Sequence, residues 1–275
     1  MSVPPATGRA GGVRVGVTLP TFSADPTRAR TVATAAEAAG LDGVFVLDHL
    51  WPMGRPGAPA LWSFAVLGAV AATTTRVAVG TLVARVGLLS PEVHTRAFAT
   101  LAAVAGPGRV IAGLGAGDRL SADENRAFGV GYPPAGVRLA AVASTVEAVR
   151  GVGVDPWVGG RSDGALAVAR DSRATLNVWG ASPEELAERA DQLDGVALSW
   201  GGQVLVGRDP SHLAALQARY GPRPGLISGT VAAVAAELRH RADAGAGWCV
   251  AAPLDAVDDP LGAVETLSLV REAVQ

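Results

Sequence analysis

An aspartate and a histidine stand side by side directly after a short apolar segment. Residues 43–47 (GVFVL) read as a strand that is buried on both faces, and Asp48 and His49 follow it. Because ligand crevices open at the carboxyl ends of parallel strands, both side chains would border such a crevice. Two interpretations stand. The pair either performs acid–base or cofactor-contacting chemistry, or it is the polar start of an ordinary loop.

A second candidate site is the segment 158–164 (VGGRSDG). Gly159 and Gly160 would let the backbone approach a ligand closely. Arg161 and Ser162 would open a helix, whose N-terminus attracts anions, and arginine adds paired hydrogen bonds to a phosphate. The alternative is ordinary strand-to-helix turn chemistry. We favour the phosphate site.

The glycine run 113–117 is followed by another acidic residue, Asp118. The run resembles a dinucleotide motif, but a polar loop follows where a nucleotide-binding helix should begin. Taken alone, Asp118 reads as a helix cap or a loop aspartate. We assign residues 118–136 to a long loop, so Glu124 and Asn125 are expected to be exposed.

The composition removes several classes of enzyme. All 23 basic residues are arginine, and the absence of lysine excludes Schiff-base aldolases, pyridoxal enzymes and the Walker A loop. Cys249 is the single cysteine and lies in an apolar run, which predicts a small core residue and excludes cysteine-rich metal sites. The four histidines lack metal-type spacing, so no metal is expected; His94 should face solvent or pack along its helix. There is no G-x-S-x-G motif of a serine hydrolase.

Segments with strand and helix patterns alternate along the chain, as in repeated βα units. Eight such units in about 260 residues predict an α/β fold of the (β/α)8 TIM-barrel type, as one domain over residues 13–275. An open doubly wound sheet is the alternative, but it rarely uses eight consecutive units without a domain break. The predicted strands are 13–19, 43–47, 76–82, 109–114, 157–159, 174–178, 195–200 and 248–252.

In such a barrel, the residues that follow the strands line the ligand-binding mouth. They are rich in glycine and aromatic residues and carry few charges, which suits a flat and partly apolar ligand. The predicted mouth residues are 18–22, 48–49, 81–85, 115–118, 160–162, 179–180 and 200–201.

Charge and hydropathy set the expected surroundings of the protein. The formal net charge is −2, so neither nucleic acid nor an anionic membrane surface is an expected partner. Residues 1–12 lack the apolar segment of a signal peptide and are expected to be a disordered tail. The longest apolar run is far below the roughly 20 residues that span a bilayer. We expect a soluble, cytoplasmic protein.

Four stretches carry a resemblance to a known family. GVFVLDHL (43–50), VAVGTLV (77–83), RAFATLAAVAGPGRVIAGLGAG (96–117) and WVGGRS (157–162) occur in this order. Together they resemble the luciferase-like monooxygenase superfamily, and most closely its branch that uses the deazaflavin coenzyme F420. Many members have a long excursion where only residues 151–156 stand here, which implies a more open site or a lid from another subunit.

The resemblance implies a TIM barrel that binds a flavin or deazaflavin at the carboxyl ends of its strands. His49 then matches the acid or base beside the reactive ring carbon. Leu82 and Val83 match a position where the family can place a non-prolyl cis peptide under the ring. Asp118 falls where deazaflavin sugar dehydrogenases carry a glutamate. The implied catalytic residues are His49 and Asp118, and the implied cofactor-binding residues are Asp48, Thr81, Leu82, Val83, Gly115, Gly159, Gly160, Arg161 and Ser162.

The expected function is hydride transfer between coenzyme F420 and an organic small-molecule substrate. His49 would exchange a proton with that substrate, since the ordinary pKa of histidine suits both directions. An FMN-dependent monooxygenase of the same superfamily is the main alternative, with FMN as cofactor. A non-catalytic flavin-binding homologue is another, and a phosphate-binding isomerase or lyase is disfavoured by the aromatic mouth and the missing lysine. The resemblance also implies a homodimer.

Overall fold

Eight parallel strands close into a barrel in the computed structural model, which describes residues 12–275. The strands are β1 (Arg14–Thr18), β2 (Gly43–Val46), β3 (Ala78–Thr81), β4 (Ala84–Arg85), β5 (Val110–Gly115), β6 (Asp155–Gly159), β7 (Thr175–Trp179), β8 (Leu198–Gly207), β9 (Ile227–Thr230) and β10 (Ala246–Pro253). The barrel order is β1-β2-β3-β5-β6-β7-β8-β10, and β10 pairs back onto β1. Two short strands lie beside it, β4 against β5 and β9 against β8.

Helices follow the strands and surround the barrel. They are α1 (Pro26–Ala38), α2 (Ser63–Thr73), α3 (Pro91–Ala105), α4 (Arg119–Ala127), α5 (Ala135–Gly151), α6 (Asp163–Asp171), α7 (Pro183–Asp191), α8 (Pro210–Tyr220), α9 (Val231–Asp243) and α10 (Pro260–Val274). The side chains of Asp25 and Ser182 cap α1 and α7 by accepting from backbone N–H groups, because such oxygens satisfy the unpaired donors of a first turn. The predicted (β/α)8 TIM barrel is confirmed. The expected tail lies outside the described residues, except for Gly12.

Aromatic side chains fill the inside of the barrel. Phe45 of β2 meets Trp157 of β6 at 5.6 Å between ring centroids and Trp248 of β10 at 5.8 Å. β2 and β6 lie three strands apart in the barrel order, so the rings of Phe45 and Trp157 can meet only in its interior. Aromatic pairs of this kind add about 0.5–1.5 kcal/mol each beyond their buried area. The interior below the mouth is therefore a packed core that supports whatever lies on top of it.

The seventh barrel strand is longer than predicted. The sequence predicts a strand over 195–200, whereas β8 runs from Leu198 to Gly207, so Gly201 lies within the strand. Two glycines and a glutamine interrupt the apolar run at 201–203, although the strand continues through them. The prediction that Trp200 lines the mouth is wrong. It is fully buried, and its indole N–H donates to the Ala181 carbonyl at 3.1 Å.

The fold also determines the surroundings of the single thiol. Cys249 lies on β10 and is fully buried, and burial raises the pKa of its thiol to about 12. This confirms the prediction of a core residue.

Within residues 12–275, no helix is both long and apolar enough to cross a membrane. Over the same range, no three His, Cys, Asp or Glu side chains are grouped as the ligands of a metal ion would be.

His94 is completely buried in α3, so of its two expected positions, facing solvent or packing along its helix, the first is wrong. Its ring lies 6.1 Å from that of Phe64, because α3 packs against α2 at this point. Burial lowers the pKa of His94 below the ordinary 6.5, and the nearby charge of Asp48 opposes the shift only in part. Folding therefore favours the neutral ring.

This burial predicts a specific loss of stability in acid. Since the unfolded chain binds a proton at His94 more readily than the folded chain, the free energy of unfolding should decrease as pH falls below 6.5. The His94→Phe variant should lose that contribution, so the wild-type melting temperature should fall more between pH 7.5 and pH 5 than that of the variant. His240→Phe, at an exposed position, is the control. An unchanged difference across this pH range would contradict the neutral buried state.

Candidate active site

His49 lies at the carboxyl end of β2 and forms a hydrogen bond with a buried glutamate. Its Nδ1 is 2.9 Å from Oε2 of Glu124. The His49 side chain is 17% exposed and that of Glu124 only 1%. The histidine ring thus reaches the surface of the barrel mouth, while the glutamate anchors it from below. Residue 124 is on α4, which brings two distant parts of the chain together.

Glu124 holds the loop that carries His49 in place. Its other oxygen, Oε1, accepts hydrogen bonds from the backbone N–H groups of Leu50 and Trp51. Oε1 also lies 3.0 Å from Nη2 of Arg85, which is 6% exposed. Because a buried carboxylate is stable only when its charge is compensated, Arg85 explains how Glu124 can be ionised there. Glu124 and Arg85 together therefore fix the position of the His49 imidazole.

The contact with Glu124 decides which nitrogen of His49 carries the proton. An ionised carboxylate can only accept hydrogen bonds, so Nδ1 is the donor. In the neutral ring, Nε2 then has a free lone pair, and in the described part of the chain Nε2 has no hydrogen-bond partner. Nε2 can therefore take a proton from a ligand at the mouth, and Glu124 would stabilise the resulting imidazolium. This is the arrangement of a general acid–base histidine.

Asp48 supports the site from below the mouth. It is 4% exposed, and its Oδ1 accepts from the Ser63 hydroxyl at 2.8 Å while its Oδ2 accepts from the Arg85 backbone N–H at 3.0 Å. The Asp48 carbonyl also accepts from Nε of Arg85 at 2.9 Å. Both carboxylate oxygens are thus engaged within the protein. The contact of Asp48 with a cofactor ring stays a prediction.

Residues 119–127 form a helix, α4, where the sequence predicts a loop. Glu124 and Asn125 are 1% and 6% exposed, so the expectation that they are exposed is wrong. Asn125 accepts from Nη1 of Arg85 at 3.0 Å and donates to the Gly131 carbonyl at 2.9 Å. One pattern in the sequence could have indicated this helix. Ser121, Glu124 and Asn125 share one helix face at spacings of three and four residues, but this face is polar and escapes a search for apolar periodicity.

Asp118 is the N-cap of α4. Its Oδ1 accepts from the Ser121 backbone N–H at 3.1 Å, and Ser121 in turn accepts from the Asp118 backbone N–H. The structure thereby gives Asp118 one of the roles that the sequence suggested, a helix cap. The carboxylate is exposed at the mouth, and its catalytic role stays a prediction.

The peptide between Leu82 and Val83 is cis, as the resemblance implied. Leu82 joins the aromatic cluster inside the barrel, and its backbone N–H donates to the Val46 carbonyl at 2.8 Å. Val83 is half-buried and packs so closely that a Cβ on Gly115 would lie 2.4 Å from it, and one on Gly159 2.5 Å. Glycine is needed at both positions. These residues form an apolar floor at the top of the barrel core, next to the end of β2.

Thr81 fixes the strands below this floor. It is fully buried, and its hydroxyl donates to the Gly113 carbonyl at 2.6 Å. The hydroxyl is therefore committed to the pairing of β3 with β5. Direct binding of a cofactor by Thr81 stays a prediction.

The turn from β6 into α6 carries the residues of the predicted phosphate site, and phosphate binding there stays a prediction. Ser162 caps α6 by accepting from the Ala165 backbone N–H at 3.2 Å. A Cβ on Gly160, whose φ is +154°, would lie 2.8 Å from the Ala165 side chain, so only glycine fits. Arg161 is half-exposed, and its Nη2 lies 2.5 Å from Oε2 of Glu185. The first turn of α6 and the Arg161 guanidinium both face an accessible surface, which fits an anionic group.

Comparisons with known proteins identify the family to which the chain belongs. The model of the luciferase-like monooxygenase family matches residues 10–246. An F420-dependent glucose-6-phosphate dehydrogenase of Nakamurella multipartita is 34% identical over 152 residues, which are 55% of this chain and 42% of that protein. The chain therefore matches less than half the length of that relative.

Solved structures share the fold at low sequence identity. An F420-dependent secondary alcohol dehydrogenase in complex with an F420–acetone adduct superposes with a TM-score of 0.77 at 18% identity, over 96% of this chain and 99% of that one. An EDTA monooxygenase from Chelativorans gives a TM-score of 0.75 at 12% identity, over 95% of each chain. At these identities the likeness shows the fold alone. The match of the family model over most of the sequence shows more, and the chain belongs to the luciferase-like monooxygenase family.

Proposed function

We propose that this chain is an oxidoreductase that transfers a hydride between coenzyme F420 and a small organic substrate. The observation that carries the proposal is His49, whose Nδ1 is held at 2.9 Å by buried Glu124 beside the apolar floor at Leu82 and Val83. The relatives named as F420-dependent dehydrogenases support this cofactor over FMN. Their glucose-6-phosphate activity is not carried over, because the match covers 42% or less of their length.

The residues present fit a deazaflavin in two places. The half-buried Val83 offers an apolar surface on which a flat ring can rest. The first turn of α6, with Gly160, Arg161 and Ser162, would hold the phosphate of the cofactor tail. When bound, the deazaflavin supplies the hydride-transferring carbon of the reaction.

The chain itself would handle the proton. Nε2 of His49 would accept a proton from an alcohol substrate as its hydride leaves, or donate one to a carbonyl in the reverse direction. Glu124 would keep the ring oriented and stabilise its cationic form. Arg85 contacts both Glu124 and Asp48, and so connects α4 to the segment after β2. Phe22, whose ring lies 6.2 Å from that of His49, would help to exclude water from this edge.

Turnover measurements separate the proposed activity from its rivals. The purified protein is incubated anaerobically with oxidised F420 and a mixed panel of alcohols, and with reduced F420 and the matching carbonyl compounds. We expect a His49-dependent change in deazaflavin absorbance with at least one class. Oxygen consumption with reduced FMN, without F420 turnover, would instead support a monooxygenase. Binding of F420 without turnover of any compound would support a non-catalytic homologue.

The phosphate turn leads to a separate prediction. Replacing Arg161 by alanine should weaken F420 binding by about 1–3 kcal/mol, since a charged hydrogen bond to the cofactor tail is lost. Fluorescence titration of the cofactor measures the change. Arg170→Ala is the control, because Arg170 lies in the last turn of α6, away from its N-terminus, and its one ion pair among the described residues is with Asp171. An unchanged dissociation constant in the Arg161 variant would remove this residue from the site.

A further inference from the structure

An open cleft lies between the end of β7 and the start of β9. β8 pairs with β7 as far as Gly201 and with β9 from Val204 onwards, so its two neighbours leave a gap along this edge of the strand. The cleft at the gap has a volume of about 330 Å³. We call it the side cleft. It is lined by Gly180 and Ser182 after β7, by residues 225–228, and by Glu237 and Arg241 of α9.

Arg241 is a buried cation in the side cleft, and one edge of its guanidinium is unpaired. The residue is 7% exposed, and its guanidinium lies over the Trp200 ring, 5.0 Å from the centroid. Nη1 donates to the carbonyl of Glu237 at 2.9 Å and to its carboxylate at 2.7 Å. Nε has no hydrogen-bond partner among residues 12–275. Because Nε and Nη2 form the edge that can bind two oxygens of an oxyanion, Arg241 has the capacity for a second carboxylate.

Ser228 adds a hydrogen-bond donor to the side cleft. Its Oγ accepts from Nε2 of Gln217 at 3.0 Å, so its own proton can be donated to a ligand. A carboxylate only accepts hydrogen bonds, and it would satisfy both this hydroxyl and the buried Nε–H of Arg241. Glu237 is the opposing charge, and it contacts Arg241 through Nη1. The chemistry of the lining residues thus favours an anionic group over an apolar one.

Arg161 connects the side cleft to the proposed phosphate site. Its Nη1 donates to the Trp179 carbonyl at 3.3 Å and would lie 3.9 Å from a Cβ on Gly180. Gly180 is itself a lining residue of the cleft, and a Cβ on Gly225 would lie 3.4 Å from its carbonyl oxygen. A flexible chain that passes Arg161 therefore reaches the side cleft at Gly180.

We propose that the side cleft binds the glutamyl tail of coenzyme F420, with a carboxylate of that tail paired to Arg241. This inference rests on the proposed function, because it takes the turn at Gly160 as the site of the cofactor phosphate. Beyond the phosphate, F420 carries a lactyl group and a chain of γ-linked glutamates, and each glutamate adds one carboxylate. FMN ends at its phosphate. The side cleft would therefore contribute to the preference for F420.

Two forms of the cofactor test this assignment. The protein is titrated, with fluorescence as the signal, with oxidised F420 that carries glutamates and with the form that ends at the lactyl group. We expect the glutamylated form to bind about tenfold more tightly, as a charge-assisted hydrogen bond allows. Arg241→Gln should bring this ratio of affinities close to one and leave the affinity for the lactyl form unchanged. Arg239→Gln, exposed on the same helix, is the matched control and should keep the wild-type ratio.

A second variant tests the side cleft without changing a buried residue. Ser228 is exposed, and Ser228→Asp places a negative charge beside the expected carboxylate, so the ratio should fall several-fold. Thr100→Asp adds the same charge at an exposed position of α3 and should keep the ratio. Equal wild-type affinity for the two forms, or a ratio that survives the cleft variants, would overturn the inference and leave F420 as the cofactor. Failure of both forms to bind would overturn the proposed function as well.

Discussion

The His49→Gln variant should turn over its F420-linked substrate about 10²- to 10⁴-fold more slowly than the wild-type protein. Glutamine keeps a polar side chain of similar reach, but it cannot exchange a proton at physiological pH. Since the contact with Glu124 lies beneath the mouth, F420 binding should change little. Anaerobic kinetics at saturating cofactor measures kcat, and a separate titration measures the dissociation constant.

Two results would contradict the role of His49. A variant with kcat within a few-fold of wild type would show that another group carries the proton. A loss of F420 binding equal to the loss of kcat would instead assign His49 to cofactor binding. His240→Gln, on the exposed face of α9, is the control for a change of histidine elsewhere.

Replacing Glu124 with glutamine should affect both stability and catalysis. The amide keeps the size of the side chain but leaves the buried Arg85 without its counter-charge, so we expect a loss of about 3 kcal/mol in the free energy of unfolding. The imidazolium form of His49 loses its carboxylate partner at 2.9 Å. We therefore expect kcat to fall about 100-fold, with a smaller effect on KM. Denaturant unfolding and steady-state kinetics measure the two effects.

A double variant distinguishes a shared role from two separate ones. If Glu124 acts through His49, the protein with both His49→Gln and Glu124→Gln should be no slower than the His49→Gln protein. Multiplication of the two single effects would contradict this. Glu188→Gln is the matched control, because Glu188 is exposed on α7 and forms no ion pair among the described residues.

The sequence was sufficient to predict the barrel and the position of His49 in the candidate site. Alternating apolar segments, glycines after helices and side-chain caps all act over a few residues, and each of the eight predicted strands overlaps a barrel strand. The position of His49 followed from the rule that parallel strands open onto a mouth at their carboxyl ends. The cis peptide at Leu82 was implied by family resemblance rather than by any local pattern.

The partner of His49 could not be found in this way. Glu124 is 75 residues away in sequence, and the helix that carries it buries a polar face instead of an apolar one. The burial of Glu124 depends on the charge of Arg85. Arg85 lies on β4, and its backbone N–H donates to the carboxylate of Asp48. Such a network exists only after the barrel has closed. Local propensity therefore predicts a loop where long-range charge pairing stabilises a helix.

The identity of the redox cofactor is tested most directly by one equilibrium measurement. The purified protein is titrated anaerobically with oxidised F420 and, separately, with oxidised FMN, and the two dissociation constants are compared. If the apolar floor at Val83, the proposed phosphate site at Gly160 and the proposed proton carrier His49 serve deazaflavin chemistry, the protein should bind F420 at least about tenfold more tightly than FMN, a difference of about 1.4 kcal/mol. Tighter binding of FMN than of F420 would contradict it.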